Sequence, residues 1–219
     1  MMSETTGRNG TRMANAGLYV RAADCYRHAG LVGEAVRCYR LAGAHRTAGD
    51  LNTSLGQYRE AAVDYQNSGM PELAAWLLVH HAHDPAAARA VLTPLISVHV
   101  HGTENPAAAA EAGLRRRLVL ARCAVAEGAA LDSVLPVIEA ACTELADPTI
   151  PRDRFVDEWA VALAEHAQRY DQVALVFAAS MRARRPGAAQ RWSQWADRVL
   201  HTNLILPVVP TAARRGGRD

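Results

Sequence analysis

The residues best suited to chemistry in this 219-residue chain are three histidines and an aspartate between positions 80 and 84. His80 precedes His83 by three residues and Asp84 by four, a spacing that could chelate zinc from one helix face. Metal signatures of this kind also contain a helical glutamate base or a pair of cysteines, and neither accompanies these residues. We favour a helix end, where imidazoles meet the negative end of the dipole. We therefore expect no metal and no cofactor, with a metal-dependent enzyme at His80–Asp84 as an alternative.

Two arginine clusters form a second candidate site. The members are Arg115, Arg116, Arg117 and Arg122 in the first cluster, and Arg182, Arg184, Arg185 and Arg191 beside Trp192 and Trp195 in the second. Arginine combined with aromatic side chains can contact phosphates and stack on bases. However, acidic residues lie among both clusters, and the formal net charge is only +2. We expect solvated helix faces here, and a nucleic-acid-associated protein is the second alternative.

The sequence lacks the motifs of several enzyme classes. It contains no lysine, which excludes both a phosphate-binding GxxxxGK[ST] loop and Schiff-base catalysis. The GxGxxG and GxSxG motifs are absent as well. Cys25 and Cys38 share a position of the repeat described below, but no CxxC motif accompanies them, so we favour structural packing over a redox pair. We therefore predict a non-enzymatic protein.

The composition gives expectations about source and location. Alanine occurs 44 times and arginine 24 times, which indicates GC-rich codon usage and favours a bacterial protein. No apolar run is long enough for a membrane helix, and the polar segment 1–17 lacks the apolar core of a secretory signal. The four cysteines are scattered, unlike a disulfide framework. We expect a cytoplasmic protein with no membrane partner.

Small residues recur every thirteen positions in the N-terminal half. The glycines are Gly17, Gly30, Gly43, Gly56 and Gly69, and the alanines are Ala22, Ala35, Ala48, Ala61 and Ala74. Tyr26, Tyr39 and Tyr65 follow the same spacing, with Asn52 at the intervening step. Ten residues form almost three helical turns, and three remain for a reversal in which glycine ends the helix. Helices this short are marginal alone, so the spacing predicts stacked antiparallel helical hairpins and an all-α fold.

These residues resemble the tetratricopeptide repeat (TPR). One copy contains Tyr19, Ala22, Tyr26, Gly30, Ala35 and Tyr39, a second contains Ala48, Gly56, Tyr58, Ala61 and Tyr65, and a weaker third contains Ala74, Ala75, Leu78 and Ala87. The hairpin period is 26 residues here, whereas family repeats advance about 34 residues. The resemblance implies a right-handed α-solenoid of short antiparallel hairpins, with about eleven helices in the whole chain.

The remaining sequence predicts further, less regular helices. We expect a flexible N-terminus at 1–16, repeats at 17–98, a linker at 99–105, a helical C-terminal region at 106–203 and an apolar, proline-containing tail with a basic end at 204–219. In the C-terminal region we predict a chain reversal at Tyr170-Asp171 and a break at Pro186-Gly187. The segment Leu204–Pro210 would cap its own solenoid or dock on another chain, and we favour the cap.

In the TPR family, the first helix of each hairpin lines a concave face that binds a partner peptide. The resemblance places on this face Asp24, Arg27, His28, Arg46, Asp50, Thr53, Glu72, Trp76 and His80. Both charge signs and one tryptophan suit a polar peptide or helix of a partner protein. The alternative is that Trp76 belongs to the core and the charges only solubilise the surface. We expect a protein–protein interaction adaptor or scaffold, whose oligomeric state the sequence leaves open.

Overall fold

The computed structural model of the chain describes residues 2–97, 106–147 and 154–202, which form helices joined by turns, without a β-strand. These residues form eleven α-helices and one short 3₁₀ helix, which confirms the prediction of an all-α protein and agrees with the predicted number of about eleven helices. The helices are α1 (Met2–His28), α2 (Val32–Leu41), α3 (His45–Ser54), α4 (Tyr58–Asn67), α5 (Pro71–His80), α6 (Pro85–Ser97), α7 (Pro106–Ala126), α8 (Leu135–Ala146), α9 (Arg154–His166), α10 (Tyr170–Arg182) and α11 (Ala188–Leu200). The 3₁₀ helix spans Leu131–Val134.

The chain divides into two compact units. The first contains α1–α6 and residues 122–128, and the second contains residues 106–121 and 129–202 of the described chain. Within the first unit, each helix packs against the next along the sequence from α1 to α6. Within the second unit, α8, α9 and α10 pack against one another, and α11 packs against α10.

In the first unit, successive helices begin at the thirteen-residue interval that the sequence shows. Helices α2, α3, α4 and α5 have ten residues each and begin at positions 32, 45, 58 and 71. The glycines that separate them, at 30, 43, 56 and 69, all have φ between 72° and 76°. At each of these turns the residue after glycine donates its N–H to the carbonyl of Tyr26, Tyr39, Asn52 or Tyr65. The tyrosine and asparagine positions are therefore the hydrogen-bond acceptors that close the helix ends.

Helix α1 differs from the sequence prediction. It begins at Met2, so it includes most of the segment 1–16 that we expected to be flexible. Gly17 lies within this helix rather than at a helix end, so the first glycine of the series does not mark a reversal. A glycine ends a helix only where the following residues provide the closing hydrogen bonds. No proline before Pro71 interrupts the helical backbone, so α1 can continue through Gly17.

The alanines of the series form the core of the first unit. Ala35, Ala48, Ala61 and Ala74 are all completely buried, whereas Ala22 is only half-buried. Tyr39 and Tyr65 are each 4% exposed and fill the space beside these alanines. By contrast Tyr19, another predicted repeat residue, is 39% exposed and contributes little to the core.

In the second unit, the non-glycine residues Gln168 and Arg184 adopt positive φ at the ends of α9 and α10. The prediction of a turn at Tyr170-Asp171 is wrong, because these residues begin α10. The chain reverses at Gln168, which has φ of 56°, and the N–H of Arg169 bonds to the carbonyl of Ala164 at 2.9 Å. Pro186 and Gly187 separate α10 from α11 as predicted. The left-handed reversal was missed because no glycine marks it.

Several predicted segments lie outside the described residues. These are the linker at 99–105 and the tail at 204–219. No described helix is both long enough and apolar enough to cross a membrane.

Candidate partner-binding surface

Most of the predicted surface lies on α1 and α3. One tyrosine–aspartate hydrogen bond joins α2 to α1, and an equivalent bond joins α4 to α3. The Tyr39 hydroxyl donates to Asp24 Oδ1 and the Tyr65 hydroxyl donates to Asp50 Oδ1, both at 2.6 Å. The two tyrosines are 26 residues apart, as are the two aspartates, so consecutive hairpins repeat the same contact. Burial and the aspartate acceptor raise the pKa of Tyr39 and raise the pKa of Tyr65 to about 12. Both tyrosines therefore remain neutral donors at physiological pH.

Most of the predicted residues on α1 and α3 reach solvent. Arg27, His28, Arg46 and Asp50 are exposed. Asp24 is half-buried, lies 3.6 Å from the Arg27 guanidinium, and accepts a hydrogen bond from His28 at its backbone carbonyl. The charged groups of this surface are thus held in place by contacts with their own helices and with the tyrosines behind them.

Thr53 makes an internal contact. Its hydroxyl donates to the carbonyl of Gly49 at 2.9 Å and lies 3.5 Å from the Tyr65 hydroxyl. A Cβ atom at Gly49 would lie 3.1 Å from the Tyr65 ring, closer than ordinary packing allows. Gly49 therefore permits the close approach of Tyr65 that positions the hydroxyl near Asp50 and Thr53.

The third hairpin does not present the same surface. Glu72 is 9% exposed and Trp76 is 4% exposed, so both belong mainly to the interior. Trp76 stands at the repeat position of Asp24 and Asp50, and Val91 stands at the tyrosine position. Apolar residues therefore stand at both positions, and the helix that carries Trp76 is apolar on nearly all sides. The expectation that Trp76 and Glu72 present their side chains to a partner is therefore corrected in favour of the core alternative.

The histidine cluster is occupied by stacking and capping contacts. The His80 ring stacks on Trp76 with centroids 4.9 Å apart, and the His81 ring stacks on Tyr58 at 4.4 Å. Burial, and secondarily the charge of His83, lowers the pKa of His81. Asp84 caps α6 by accepting the N–H of Ala87 at 2.9 Å, and it pairs with Arg59. The described residues include no group of three or more histidine, cysteine, aspartate or glutamate side chains placed to share a metal ion.

The second arginine cluster is largely built into the packing of the second unit. Trp192 and Trp195 are 5% and 4% exposed and stack on each other with centroids 5.4 Å apart. Both rings also contact Phe177, so they are not available as stacking platforms for bases. Arg185 is 8% exposed and donates to the Leu145 carbonyl.

The first arginine cluster is also partly internal. Arg117 pairs with Glu144, and Arg115 and Arg116 are half-buried. Arg122 is only 5% exposed, and burial lowers its pKa. Because one of these arginines is ion-paired, two are half-buried and one is buried, the cluster offers few of its guanidinium groups to a phosphate backbone.

All four cysteines are free thiols. Cys38 is buried, but Cys25 is exposed, so the expectation of buried packing is wrong for Cys25.

Sequence reasoning missed a buried polar network between α2, α3 and α4. Asp64 is 1% exposed and accepts two hydrogen bonds from Arg40, at 2.7 and 2.9 Å, and one from Asn52 at 2.8 Å. The available signal was that Asp64 occupies the repeat position of Cys38 and Leu51, where the other units place an apolar residue. A charged residue at a core position indicates a buried partner.

The comparisons with known proteins add no relative. No family model, no curated protein and no solved structure matches this chain.

Proposed function

We propose that the chain is a non-enzymatic adaptor or scaffold that binds a partner protein through the exposed side of α1 and α3. We further propose that its hairpins form a right-handed, TPR-like solenoid with a shortened 26-residue period, and that this side of the helices is the concave one. The proposed setting is a bacterial cytoplasm.

The observation that supports this proposal most directly is the repeated tyrosine–aspartate hydrogen bond. In two successive hairpins, a buried tyrosine fixes an aspartate at the edge of the exposed helix side. A surface whose side chains are already ordered loses less conformational entropy when a partner binds. The same geometry repeated at a constant interval suits an extended peptide or a helix, which presents its own groups at regular spacing.

The charges indicate the kind of partner. Arg27, His28 and Arg46 are exposed, while the hydroxyls of Tyr39 and Tyr65 already hydrogen-bond Asp24 and Asp50. The exposed guanidinium groups of Arg27 and Arg46 keep N–H donors that face solvent. We propose a polar peptide or helix with carboxylates that reach Arg27 and Arg46.

Charge reversal of these two arginines tests the proposal. Partners that the wild-type chain captures, identified by mass spectrometry and then purified, are compared for binding to the double variant Arg27→Glu/Arg46→Glu. A matched control, Arg37→Glu/Arg182→Glu, makes the same change in net charge at exposed residues of α2 and α10. We expect the first variant to lose binding by at least about 100-fold and the control to bind like the wild type. Equal binding by both variants would reject the assignment to α1 and α3.

Neither alternative function gains an observation in its favour. The tryptophans that would stack on bases are buried against Phe177. The side chains that would hold a metal instead stack on Trp76 and Tyr58 or cap α6.

A further inference from the structure

The outer side of α1 carries a stripe of apolar and small side chains that reaches solvent. Its members Leu18, Ala22, Cys25 and Ala29 are spaced four, three and four residues apart, so they share one face of the helix. Ala29 directly follows α1 and continues its hydrogen bonding, since its N–H donates to the carbonyl of Cys25 at 3.0 Å. Leu18 is 62% exposed, and Cys25 and Ala29 are exposed as well. Among the described helices, α1 packs mainly against α2, on the side that carries the fully buried Ala23.

The corresponding face of α3 is covered. Positions 44, 48 and 51 correspond to 18, 22 and 25, because the hairpin period is 26 residues. Ala48 is completely buried, and Ala44 and Leu51 pack against the core cluster to which α2 contributes four residues. In α3 the covering element is therefore one neighbouring helix, α2. The repeat thus shows that this face is shaped to receive a helix.

The stripe on α1 is complementary to a second copy of itself in one orientation. Two copies of α1 that run antiparallel, about a two-fold axis between residues 23 and 24, place Leu18 opposite Ala29 and Ala22 opposite Cys25. The one large side chain of the stripe then meets a small one, which allows close packing of both. A parallel pair would instead place each residue opposite its own copy and leave space between three pairs of small side chains. The sizes therefore favour the antiparallel orientation.

The residues beside the stripe fit the same arrangement. Tyr19 is 39% exposed and Tyr26 is half-buried, and both border one side of the stripe. In the antiparallel pair, Tyr19 of each copy approaches Tyr26 of the other, and such aromatic pairs stabilise an interface beyond their buried area. Arg21 and His28 border the other side, where both are exposed and lie at a hydrated rim. The stripe itself contains no charged residue, so pairing buries no unpaired charge.

We propose that the chain forms a two-fold dimer in which this stripe of α1 packs antiparallel against the same stripe of a second copy. The contact depends on one helix from each copy, so it belongs to the small interfaces that dissociate readily, with a dissociation constant in the micromolar range. Arg27 and Arg46, which carry the proposed binding of a partner protein, lie outside the stripe. The dimer is therefore a property separate from that function.

Analytical ultracentrifugation of the full-length chain tests the dimer. We expect a reversible monomer–dimer equilibrium between about 5 and 500 µM. Leu18→Glu places two carboxylates in the apolar contact and should raise the dissociation constant at least about tenfold. The control Val63→Glu makes the same change in charge at a side chain of α4 that is 53% exposed, and should dimerise like the wild type. A wild-type chain that stays monomeric over this range, or equal dimerisation by the two variants, would overturn the proposal.

Disulfide cross-linking tests the orientation. In the variant Leu18→Cys/Ala29→Cys/Cys25→Ser, the two new thiols are about 16 Å apart along one helix and cannot bond within a chain. Mild oxidation should therefore join position 18 of one copy to position 29 of the other. Mass spectrometry identifies this bond after tryptic cleavage at Arg21, which separates the two positions. Bonds between equal positions, or no bond between 18 and 29, would overturn the proposal. These variants leave the arginines of the partner-binding surface unchanged, so loss of dimerisation and loss of partner binding are distinguishable.

Discussion

The buried carboxylate of Asp64 gives the sharpest test of how the first unit is held together. Substitution Asp64→Ala removes the acceptor of three hydrogen bonds, two from Arg40 and one from Asn52. The two donors are left in different surroundings. The Arg40 side chain is 41% exposed and can be rehydrated, whereas Asn52 is 2% exposed and cannot.

The magnitude follows from this difference. A buried donor left without a partner costs about 1–3 kcal/mol, and a hydrogen bond to a charged group contributes about 1.5–3 kcal/mol. Because water compensates most of the loss at Arg40, we expect the free energy of unfolding to fall by about 3 kcal/mol. For a chain of this length, that corresponds to a decrease in melting temperature of about 6–12 °C.

The assay is urea and thermal unfolding followed by circular dichroism, with Glu34→Ala as the matched control. Glu34 pairs with Arg37 at 2.8 Å, but both side chains are largely exposed, so its removal should cost no more than about 0.5 kcal/mol. The double variant Asp64→Ala/Asn52→Leu should recover about 1 kcal/mol, because it removes the orphaned donor as well. A loss below about 1 kcal/mol for Asp64→Ala would refute the reasoning.

Two further predictions concern Tyr65 and the glycines. Since the pKa of Tyr65 rises from 10.0 to about 12 on folding, its contribution to stability is complete below pH 10 and is lost as the pH rises to about 12. Tyr65→Phe should therefore flatten the pH dependence of the unfolding free energy across this range, and an unchanged dependence would contradict the assignment. Gly17→Ala, in an exposed and uncrowded part of α1, should stabilise the chain by about 0.5–1 kcal/mol. Gly49→Ala should destabilise it by about 1 kcal/mol, because its Cβ would crowd the Tyr65 ring. Equal stabilisation by both alanines in urea titrations would show that this contact is not tight.

The regular part of the fold was predictable because it depends on local chemistry. A glycine that adopts positive φ ends a helix wherever it stands, so the glycines at 30, 43, 56 and 69 fixed the starts of four helices. The same rule failed at Gly17, since a glycine is permitted, not required, to leave the helical conformation. It also missed the reversal at Gln168, where a non-glycine residue adopts the left-handed conformation.

The candidate site was less predictable, since burial depends on distant neighbours. Arg27 and Arg46 are exposed, whereas Trp76, assigned to the same face from its position in the repeat, is buried. Trp76 is buried because α5 is apolar on nearly all sides and α4 and α6 pack against it. The run of apolar residues at positions 73–79 was the signal in the sequence for this burial.

The sequence by itself determined the helical class, the interval of thirteen residues and the points at which most short helices end, because backbone conformation and helix length respond to residues close in the chain. Only the tertiary structure decided which polar groups meet. It joined Tyr39 to Asp24, Asp64 to Arg40 and Asn52, and Asp157 to Arg191 across separate helices. These contacts depend on the relative rotation and spacing of packed helices, which are set by the fit of many side chains at once.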